Sequence, residues 1–252
     1  MKVVFITGGA TGIGAATVKR FLAAGHAVAF FDTNVAEANN LIESSQSDAV
    51  QFYEGDVRSK TALEQALARC ADTFGGIDCL FPNAGIHTSN SIRDIQDDTW
   101  QQILDVNVTG VMNTVRAGLP FMQERDGASI VLMASDQTLF AKPNNFAYGV
   151  SKGAIGQMCK SLALDLAPEG IRVNAVCPGI TRTPLAEAAV KRWADKALNG
   201  NETKAWQLEA AEVPLGRVAR PEDVAEVVYF LATRAVYMTG ALVPVDGGLS
   251  AA

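Results

Sequence analysis

The chain alternates short apolar runs with longer segments of helical composition almost from end to end. Predicted strands span residues 2–6, 27–31, 50–53, 79–81, 129–133, 173–176 and 242–245, and predicted helices span residues 15–24, 60–74, 99–123, 147–167 and 221–233. Strands that are apolar on both faces and alternate with helices indicate a parallel sheet covered on both sides. We therefore expect an α/β fold with one doubly wound parallel sheet of about seven strands and helices on both faces.

Length and composition restrict the class of protein. A chain of 252 residues with 48% hydrophobic and 19% charged residues is typical of one globular domain with an ordinary core. The formal net charge of -6, without any basic run, argues against a nucleic-acid partner. The first apolar run is too short for a signal peptide or a membrane span, so we expect a cytoplasmic protein without a membrane partner.

The cysteines show no metal-ligand spacing. Cys70, Cys79, Cys159 and Cys177 form no Cys-x-x-Cys pair, and neither of the two histidines adjoins such a pair. We therefore expect buried free thiols and no metal site.

A glycine-rich turn follows the first predicted strand. Residues 7–14 read Thr-Gly-Gly-Ala-Thr-Gly-Ile-Gly, with the spacing Gly-x-x-x-Gly-x-Gly. Glycines let the backbone turn sharply and approach a pyrophosphate, and the N–H groups at the start of the next helix attract negative charge. The turn predicts a dinucleotide cradle, with an ordinary tight turn as the alternative.

Asp32 stands at the end of the second predicted strand, 24 residues after Gly8 (32 − 8). A carboxylate about 20 residues past such a turn accepts hydrogen bonds from the adenosine ribose and repels a 2′-phosphate. No Lys or Arg lies between Gly8 and Gly14, and none follows Asp32 before Arg58. NAD(H) is therefore favoured over NADP, unless Asp32 only caps a helix that begins near Asn34.

Further motifs lie between Val3 and Gly248. They are Asp56-Val57, Asn83-Ala84-Gly85, Asn107 within Asp-Val-Asn-Val-Thr-Gly, Ser135, Tyr148-x-x-x-Lys152, Pro178-Gly179 with Thr181 and Thr183, and Val-Asp-Gly-Gly at 245–248. With them the chain resembles the classical branch of the short-chain dehydrogenase/reductase family along nearly its whole length. The resemblance implies a single NAD(P)-binding Rossmann domain over residues 1–252.

The resemblance also implies which residues bind the cofactor. They are Gly8, Thr11, Gly12, Ile13, Gly14, Asp32, Asp56, Val57, Asn83, Ala84, Gly85, Tyr148, Lys152, Pro178, Gly179, Thr181 and Thr183. One departure is Pro82, where the family usually has a second asparagine. Because proline cannot donate a ladder hydrogen bond, we expect the fourth strand to end at or before Pro82.

Four residues are predicted to be catalytic: Asn107, Ser135, Tyr148 and Lys152. Tyr148 and Lys152 share one face if their segment is helical, and we expect the ammonium to lower the phenol pKa from about 10. Tyr148 would then be the base in alcohol oxidation and the acid in ketone reduction. By resemblance, Ser135 binds the reacting oxygen, Lys152 also holds the nicotinamide ribose, and Asn107 holds a relay water.

Each of these residues also has a plainer interpretation. Tyr148 and Lys152 at helical spacing can be a surface pair. Ser135 can be an ordinary strand-end hydroxyl, and Asn107 a buried helical amide satisfied by neighbouring backbone. The joint presence of all four residue types favours the catalytic interpretation.

The substrate is predicted to contact Ser135, Gln137 and Tyr148. The polar pair Asp136-Gln137 suggests a small-molecule alcohol of sugar or polyol type. Residues 181–212, helical in composition and without a strand, predict a substrate-binding lid after a strand's carboxyl end. Arg182 is expected to pair either with a substrate carboxylate or with Glu187.

The sequence thus predicts an NAD-dependent enzyme that interconverts a secondary alcohol and a ketone by hydride transfer. One alternative is a 3-oxoacyl thioester reductase, against which Asp32 argues. Another is a catalytically silent NAD-sensing or scaffold protein, which would be expected to lose Tyr148 or Lys152. His87 lies in the stretch after Gly85, where part of the pocket wall is expected, and is either a solvated loop residue, the favoured interpretation, or a ligand contact. The resemblance implies a homotetramer, assembled through the helices that hold Asn107 and Tyr148 and through the C-terminal strand region.

Overall fold

A computed structural model describes residues 1–251, and the last residue of the predicted domain lies outside this range. Within residues 1–251 the strands are β1 Val3–Thr7, β2 Ala27–Asp32, β3 Val50–Glu54, β4 Cys79–Pro82, β5 Ser129–Met133, β6 Arg172–Pro178 and β7 Leu242–Val245. They form one sheet in the order β3-β2-β1-β4-β5-β6-β7, and every neighbouring pair is parallel. The predicted doubly wound parallel sheet is confirmed, and β4 ends at Pro82 as expected.

The helices of the described chain are α1 Gly12–Ala23, α2 Val35–Ser45, α3 Lys60–Phe74, α4 Asp97–Leu104, α5 Gly110–Gly118, α6 Phe146–Leu166, α7 Pro184–Ala197, α8 Glu202–Glu212 and α9 Pro221–Thr233. Helices α3, α5 and α6 cover one face of the sheet, and α1, α2 and α9 cover the other. All of β1 is buried. Phe5 packs on the first face while Val4 and Ile6 pack on the second, as the two-residue period of a strand requires.

The prediction of one continuous α-helix over residues 99–123 is wrong. The helical segment starts at Asp97, and a π-helical turn at Asp105–Thr109 separates α4 from α5. A 3₁₀ turn at Leu119–Phe121, which contains Pro120, follows α5. The side-chain pattern of this segment does not show the extra residue that a π turn inserts, so the pattern alone predicts an unbroken helix.

The segment after β6 forms two helices, α7 and α8, with a small core of their own. Val190 and Ala194 of α7 pack against Ala205 of α8. The guanidinium carbon of Arg182 lies 5.0 Å from the ring centroid of Trp206 in α8, and its Nε lies 3.7 Å from Glu187 in α7. Arg182 thus contacts both helices. Across residues 1–251, no helix combines the length and apolar composition needed to cross a membrane.

Candidate active site

A cleft of about 450 Å³ opens at the carboxyl ends of the central strands. Its volume falls in the ordinary range of small-molecule sites. Of the predicted site residues, the cleft is lined by Gly8, Thr11, Gly12, Ile13, Asp32, Asp56, Val57, Asn83, Ala84, Gly85, Ser135, Gln137, Tyr148, Lys152, Pro178, Gly179, Thr181 and Thr183. Gly14 and Asn107 lie behind this surface. The structure therefore brings the dispersed motifs to one place.

The glycine-rich turn forms one wall of the cleft by packing directly on the end of β4. The Asn83 side-chain amide donates to the carbonyl oxygens of Thr7, at 3.1 Å, and Gly8, at 2.8 Å. A Cβ on Gly14 would clash with the Gly8 carbonyl oxygen and with this amide. Gly12 has a φ of +54°, a backbone conformation that favours glycine.

Helix α1 begins in this wall. Within the described chain, the side chain of its N-cap residue, Thr11, makes no capping hydrogen bond. The first-turn N–H groups of a helix without such a cap are available to an anion. The turn and the helix start therefore fit the pyrophosphate of a dinucleotide.

Asp32 fixes this turn from the neighbouring strand. One carboxylate oxygen accepts a 2.9 Å hydrogen bond from the backbone N–H of Ala10, and the other accepts one of 2.9 Å from Asn34. The side chain that caps α2 is Asn34, which accepts from the backbone of Glu37. The alternative role of Asp32 as the cap of that helix is therefore wrong, and Asp32 lies at the cleft surface.

Arg58 is a cation at the same end of the cleft, and it is bound by Asp56. Its Nε lies 3.0 and 2.9 Å from the two oxygens of the Asp56 carboxylate. Hydrogen bonding by Arg58 lowers the pKa of Asp56 below its usual range despite partial burial. The charge of Arg58 is thus already paired within the protein.

Ser135, Tyr148 and Lys152 meet at the other end of the cleft. Ser135 is buried after β5 and begins a 3₁₀ turn, where its Oγ accepts a 3.2 Å hydrogen bond from the N–H of Gln137. Tyr148 and Lys152 lie one turn apart in α6, with Lys152 Nζ 5.6 Å from the Tyr148 ring centroid. Lys152 Nζ also donates a 2.8 Å hydrogen bond to the carbonyl oxygen of Met133. The helical spacing thus places the two side chains on one face, as predicted.

Burial dominates the titration of this pair. It raises the pKa of Tyr148 to about 12; the Ser135 hydroxyl acts in the opposite direction, and the charge of Asp136 adds to the rise. Burial lowers the pKa of Lys152 to about 8. The expectation that Lys152 lowers the Tyr148 pKa below 10 is therefore wrong, because it counted the ammonium charge and not the loss of solvent around the phenolate.

Asn107 lies in the π-helical turn, with its amide directed at the loop after β4. Its Nδ2 donates to the Ile86 carbonyl oxygen at 3.0 Å and to Ser151 Oγ at 3.1 Å, and its Oδ1 accepts from the Ile86 N–H at 2.9 Å. These contacts agree with the plainer interpretation of a buried, satisfied amide. A relay water held by Asn107 stays a prediction.

Polar and charged side chains line the region beside Ser135. Asp136 is 3% exposed, and one of its oxygens lies 3.1 Å from Lys142 Nζ in an ion pair that lacks hydrogen-bond geometry. Glu209, on α8, is in the same region, where burial raises its carboxyl pKa while the charge of Lys142 acts in the opposite direction. Charged groups from α8 and from the segment after β5 therefore come near each other.

His87 lines the cleft, as its place in the predicted pocket wall indicated. The favoured interpretation of a solvated loop residue is wrong, because its ring meets the Tyr148 ring edge-on, with centroids 4.8 Å apart and planes at 72°. Its Nε2 lies 2.7 Å from Asn145 Oδ1. Its position just after Gly85, at the carboxyl end of a central strand, predicts a place in the pocket wall but not the contact with Tyr148.

The cysteines lie away from the surface. Cys70, Cys79, Cys159 and Cys177 are free and buried, as predicted. Burial raises their thiol pKa values, to about 12 for Cys70 and Cys159 and to about 11 for Cys79 and Cys177. In the part of the chain that the structure describes, no three His, Cys, Asp or Glu side chains are grouped to hold a metal ion.

Comparisons with known proteins agree with this geometry. The family model described as enoyl-(acyl carrier protein) reductase matches residues 8–250. A 3alpha-hydroxysteroid dehydrogenase of Mediterraneibacter gnavus is 36% identical over 251 residues, covering 98% of this chain and 96% of the relative.

Solved structures give the same result. A short chain dehydrogenase family protein of Francisella tularensis has a TM-score of 0.90 and 37% identity over 100% of both chains. The aldohexose dehydrogenase of Thermoplasma acidophilum has a TM-score of 0.89 and 32% identity, over 100% of this chain and 94% of that one. The chain therefore belongs to the short-chain dehydrogenase/reductase family, whose members interconvert alcohols and carbonyl compounds with a nicotinamide cofactor.

Proposed function

We propose that this protein is an NAD-dependent oxidoreductase that interconverts a polar, sugar- or polyol-like secondary alcohol and its ketone. The observation that carries the proposal is the meeting of Ser135, Tyr148 and Lys152 at one end of a cleft whose other end holds Asp32 and the glycine-rich turn. When bound, the nicotinamide cofactor supplies the hydride acceptor for oxidation and the hydride donor for reduction.

The protein's own side chains are proposed to transfer the proton and to bind the reacting oxygen. Tyr148 removes the hydroxyl proton during alcohol oxidation and returns a proton to the carbonyl oxygen during reduction. Ser135 binds the reacting oxygen through its hydroxyl as charge develops there. Lys152, near the Tyr148 ring, holds the nicotinamide ribose, and its ammonium charge favours release of the Tyr148 phenol proton to the carbonyl oxygen during reduction.

The preference for NAD over NADP rests on charge. Asp32 is held at the cleft surface by two backbone N–H groups, so its carboxylate is fixed where an adenosine ribose would lie. A 2′-phosphate there would meet a negative charge, while Arg58 is engaged by Asp56. The remaining predicted contacts along the cleft, from Gly8 to Thr183, are proposed to hold the cofactor as the sequence suggested.

The polar substrate is supported by the side chains that face the cleft beside Ser135. Gln137, Lys142 and His87 line it together with the buried carboxylate of Asp136. A site built from such groups suits a ligand with several hydroxyl groups, because each buried polar atom needs a partner. The similar structure from Thermoplasma acidophilum is that of an aldohexose dehydrogenase, which accords with this substrate class.

A second candidate is a reductase of 3-oxoacyl thioesters, supported by a 32% identical relative of Thermotoga maritima, a 3-oxoacyl-[acyl-carrier-protein] reductase. Two features argue against this second candidate. Asp32 disfavours NADPH, and the lining of the cleft is charged. A catalytically silent NAD-binding protein has no support from the site, which retains Tyr148 and Lys152.

We also propose that the segment 181–212 is a lid. Pro184, Leu185, Ala186 and Ala189 of α7 line the cleft, while α8 brings Glu209 toward the Asp136–Lys142 pair. The two helices have a core separate from that of the sheet, so they can move as a unit.

The homotetramer implied by the resemblance is kept as a proposal. It is supported by exposed apolar side chains on α6, including Phe146 and Val150, and near the C-terminal strand, including Val236 and Tyr237. Size-exclusion chromatography with light scattering should give the mass of four chains, and a monomer would contradict the proposal.

The activity itself is tested by following NADH formation with sugars, polyols, hydroxy acids, steroids and cyclic alcohols, with NADP in parallel. We expect turnover with NAD and a polyhydroxylated alcohol. Reduction of a 3-oxoacyl thioester with NADPH in preference to these reactions would favour the second candidate.

A further inference from the structure

His87 is held in one orientation by its neighbours. Asn145 Nδ2 donates a 3.0 Å hydrogen bond to the Pro143 carbonyl oxygen, which turns Asn145 Oδ1 toward His87. Since Oδ1 can only accept, His87 Nε2, 2.7 Å away, must carry the proton of that hydrogen bond. The opposite ring atom, Nδ1, is then a lone-pair acceptor in the neutral imidazole.

This acceptor has no partner among residues 1–251. His87 Nδ1 is buried and makes no hydrogen bond there, and neither does the buried Oε1 of Gln137. Both residues line the cleft that holds Tyr148. Buried acceptors in native proteins are nearly always paired, so these two require a donor that enters the cleft.

The position of His87 beside Tyr148 restricts the kind of donor that can reach its Nδ1. Its ring is in edge contact with the Tyr148 ring, the group proposed to take the proton of the reacting hydroxyl. A ligand atom that reaches Nδ1 therefore lies close to the reacting carbon. An alcohol hydroxyl is a donor of suitable size and charge, because burial and the charge of Arg192 lower the pKa of His87 and disfavour a cationic imidazole there.

We propose that His87 is a specificity-determining residue whose Nδ1 accepts a hydrogen bond from a second hydroxyl, adjacent to the reacting carbinol. The enzyme then selects vicinal diols over simple alcohols, and α-hydroxy ketones over simple ketones in the reverse direction. Asn145 is the positioning residue that fixes the accepting tautomer. This inference rests on the proposed function and names the substrate class of the same site.

The test compares two alcohols that differ by one hydroxyl, trans-1,2-cyclohexanediol and cyclohexanol, with NAD as acceptor. We expect the wild-type kcat/KM to be about tenfold higher for the diol, the effect of one neutral hydrogen bond near the upper end of its usual range. His87→Phe should lower the ratio of the two kcat/KM values, diol over cyclohexanol, about tenfold. His87→Gln, which retains an acceptor, should recover part of the diol preference.

The chain offers a matched control in its other histidine. His26→Gln changes a residue just before the amino end of β2, at the end of the sheet opposite the cleft, and should leave both kcat/KM values unchanged. An equal loss on both substrates in His87→Phe would show that the ring only supports Tyr148, which overturns the inference while the proposed function stands. Failure of the wild type on both alcohols, with activity instead on acyl thioesters, overturns the proposed function and the inference with it.

A second readout does not depend on turnover. The chain has two histidines, so the imidazole nitrogen resonances can be assigned by comparing wild type with His26→Gln. We expect His87 to be the neutral Nε2–H tautomer at pH 7, and Asn145→Ala to populate the other tautomer. A wild-type His87 protonated on Nδ1 at that pH would overturn the inference.

Discussion

Ser135 Oγ donates a 2.8 Å hydrogen bond to Oδ1 of Asp136, the next residue in the chain. Asp136 is buried, and its other oxygen pairs with Lys142. Because a serine hydroxyl has one proton, Ser135 must release this hydrogen bond to the buried carboxylate in order to donate to the reacting oxygen. The charge of the same carboxylate raises the pKa of Tyr148, so Asp136 acts on both groups proposed to contact that oxygen.

Replacing Asp136 by Asn should lower the pKa of Tyr148, because the negative charge that opposes phenolate formation is removed. Alcohol oxidation requires the phenolate, so the rise of kcat/KM with pH should move to lower pH in Asp136→Asn. The pH profile of NAD reduction measures this. Asp165→Asn, which removes an exposed charge further along α6, is the matched control and should leave the profile in place. A shift toward higher pH would contradict this role of Asp136.

Tyr148→Phe should lower kcat by about 10² to 10⁴, the usual contribution of general acid–base catalysis. The ring is retained, so packing against His87 and binding of NADH, followed by fluorescence titration, should change little. Tyr229→Phe, on α9 and outside the cleft, serves as the control for loss of a phenol elsewhere. Substantial residual turnover in Tyr148→Phe would exclude the tyrosine as the acid and base.

The pKa of Lys152, lowered by burial to about 8, predicts a pH dependence for ketone reduction. Below pH 8 the ammonium is charged, and the Tyr148 phenol, with a pKa of about 12, is protonated and can donate. As pH rises through 8, Lys152 loses its charge while Tyr148 stays protonated. Without the neighbouring positive charge the phenol is a weaker acid, so kcat/KM for reduction should fall. Lys152→Arg keeps the charge, and the fall should disappear even if the overall rate is lower. A profile that is flat through pH 10 in the wild type would contradict this assignment.

Much of the fold and the site could be predicted because the relevant signals are local in sequence. β1 is an uninterrupted apolar run because both of its faces are buried, and such a run predicts a strand inside a parallel sheet. Tyr148 and Lys152 are four residues apart, so they share one face once α6 forms. The parallel order of the sheet then brings strand ends, and with them Ser135 and Asp32, to one cleft.

The features that were missed depend on tertiary surroundings. The π turn around Asn107 is stabilised by contacts with Ile86 and Ser151, which the periodicity of α4 and α5 does not show. The inward orientation of His87 depends on Asn145, 58 residues away. The raised pKa of Tyr148 results from burial by many elements together, whereas the sequence shows only the nearby charge.

His26 should make stability sensitive to mild acid. Its Nδ1 accepts a 3.0 Å hydrogen bond from the Lys2 backbone N–H, which requires the neutral imidazole, and burial followed by the charges of the N-terminus, Lys2 and Arg20 lowers its pKa below 6.5. The unfolded chain therefore binds a proton on His26 more tightly than the folded chain does. This contribution to the free energy of unfolding is fully present above pH 6.5 and is lost as pH falls through the lower pKa of the folded state.

Urea unfolding at pH 7.5 and 5.5 measures this loss. His26→Gln keeps an acceptor that does not titrate, so it should reduce the difference between the two pH values. His87→Gln is the companion variant, because burial also lowers the pKa of His87. An unchanged difference in His26→Gln would show that other groups cause the acid sensitivity.

Gly14→Ala should damage both the fold and cofactor binding, because the new methyl group clashes with the Gly8 carbonyl oxygen and the Asn83 amide that holds the turn. Overpacking of this kind costs about 1–3 kcal/mol, and the displaced turn should weaken NADH binding as well. The matched control is Gly153→Ala in α6, where a Cβ meets no atom within 4 Å and where alanine is favoured over glycine by about 1 kcal/mol. Urea unfolding and NADH titration of both variants should show losses in Gly14→Ala alone. Normal NADH affinity in a folded Gly14→Ala protein would show that the turn does not cradle the cofactor.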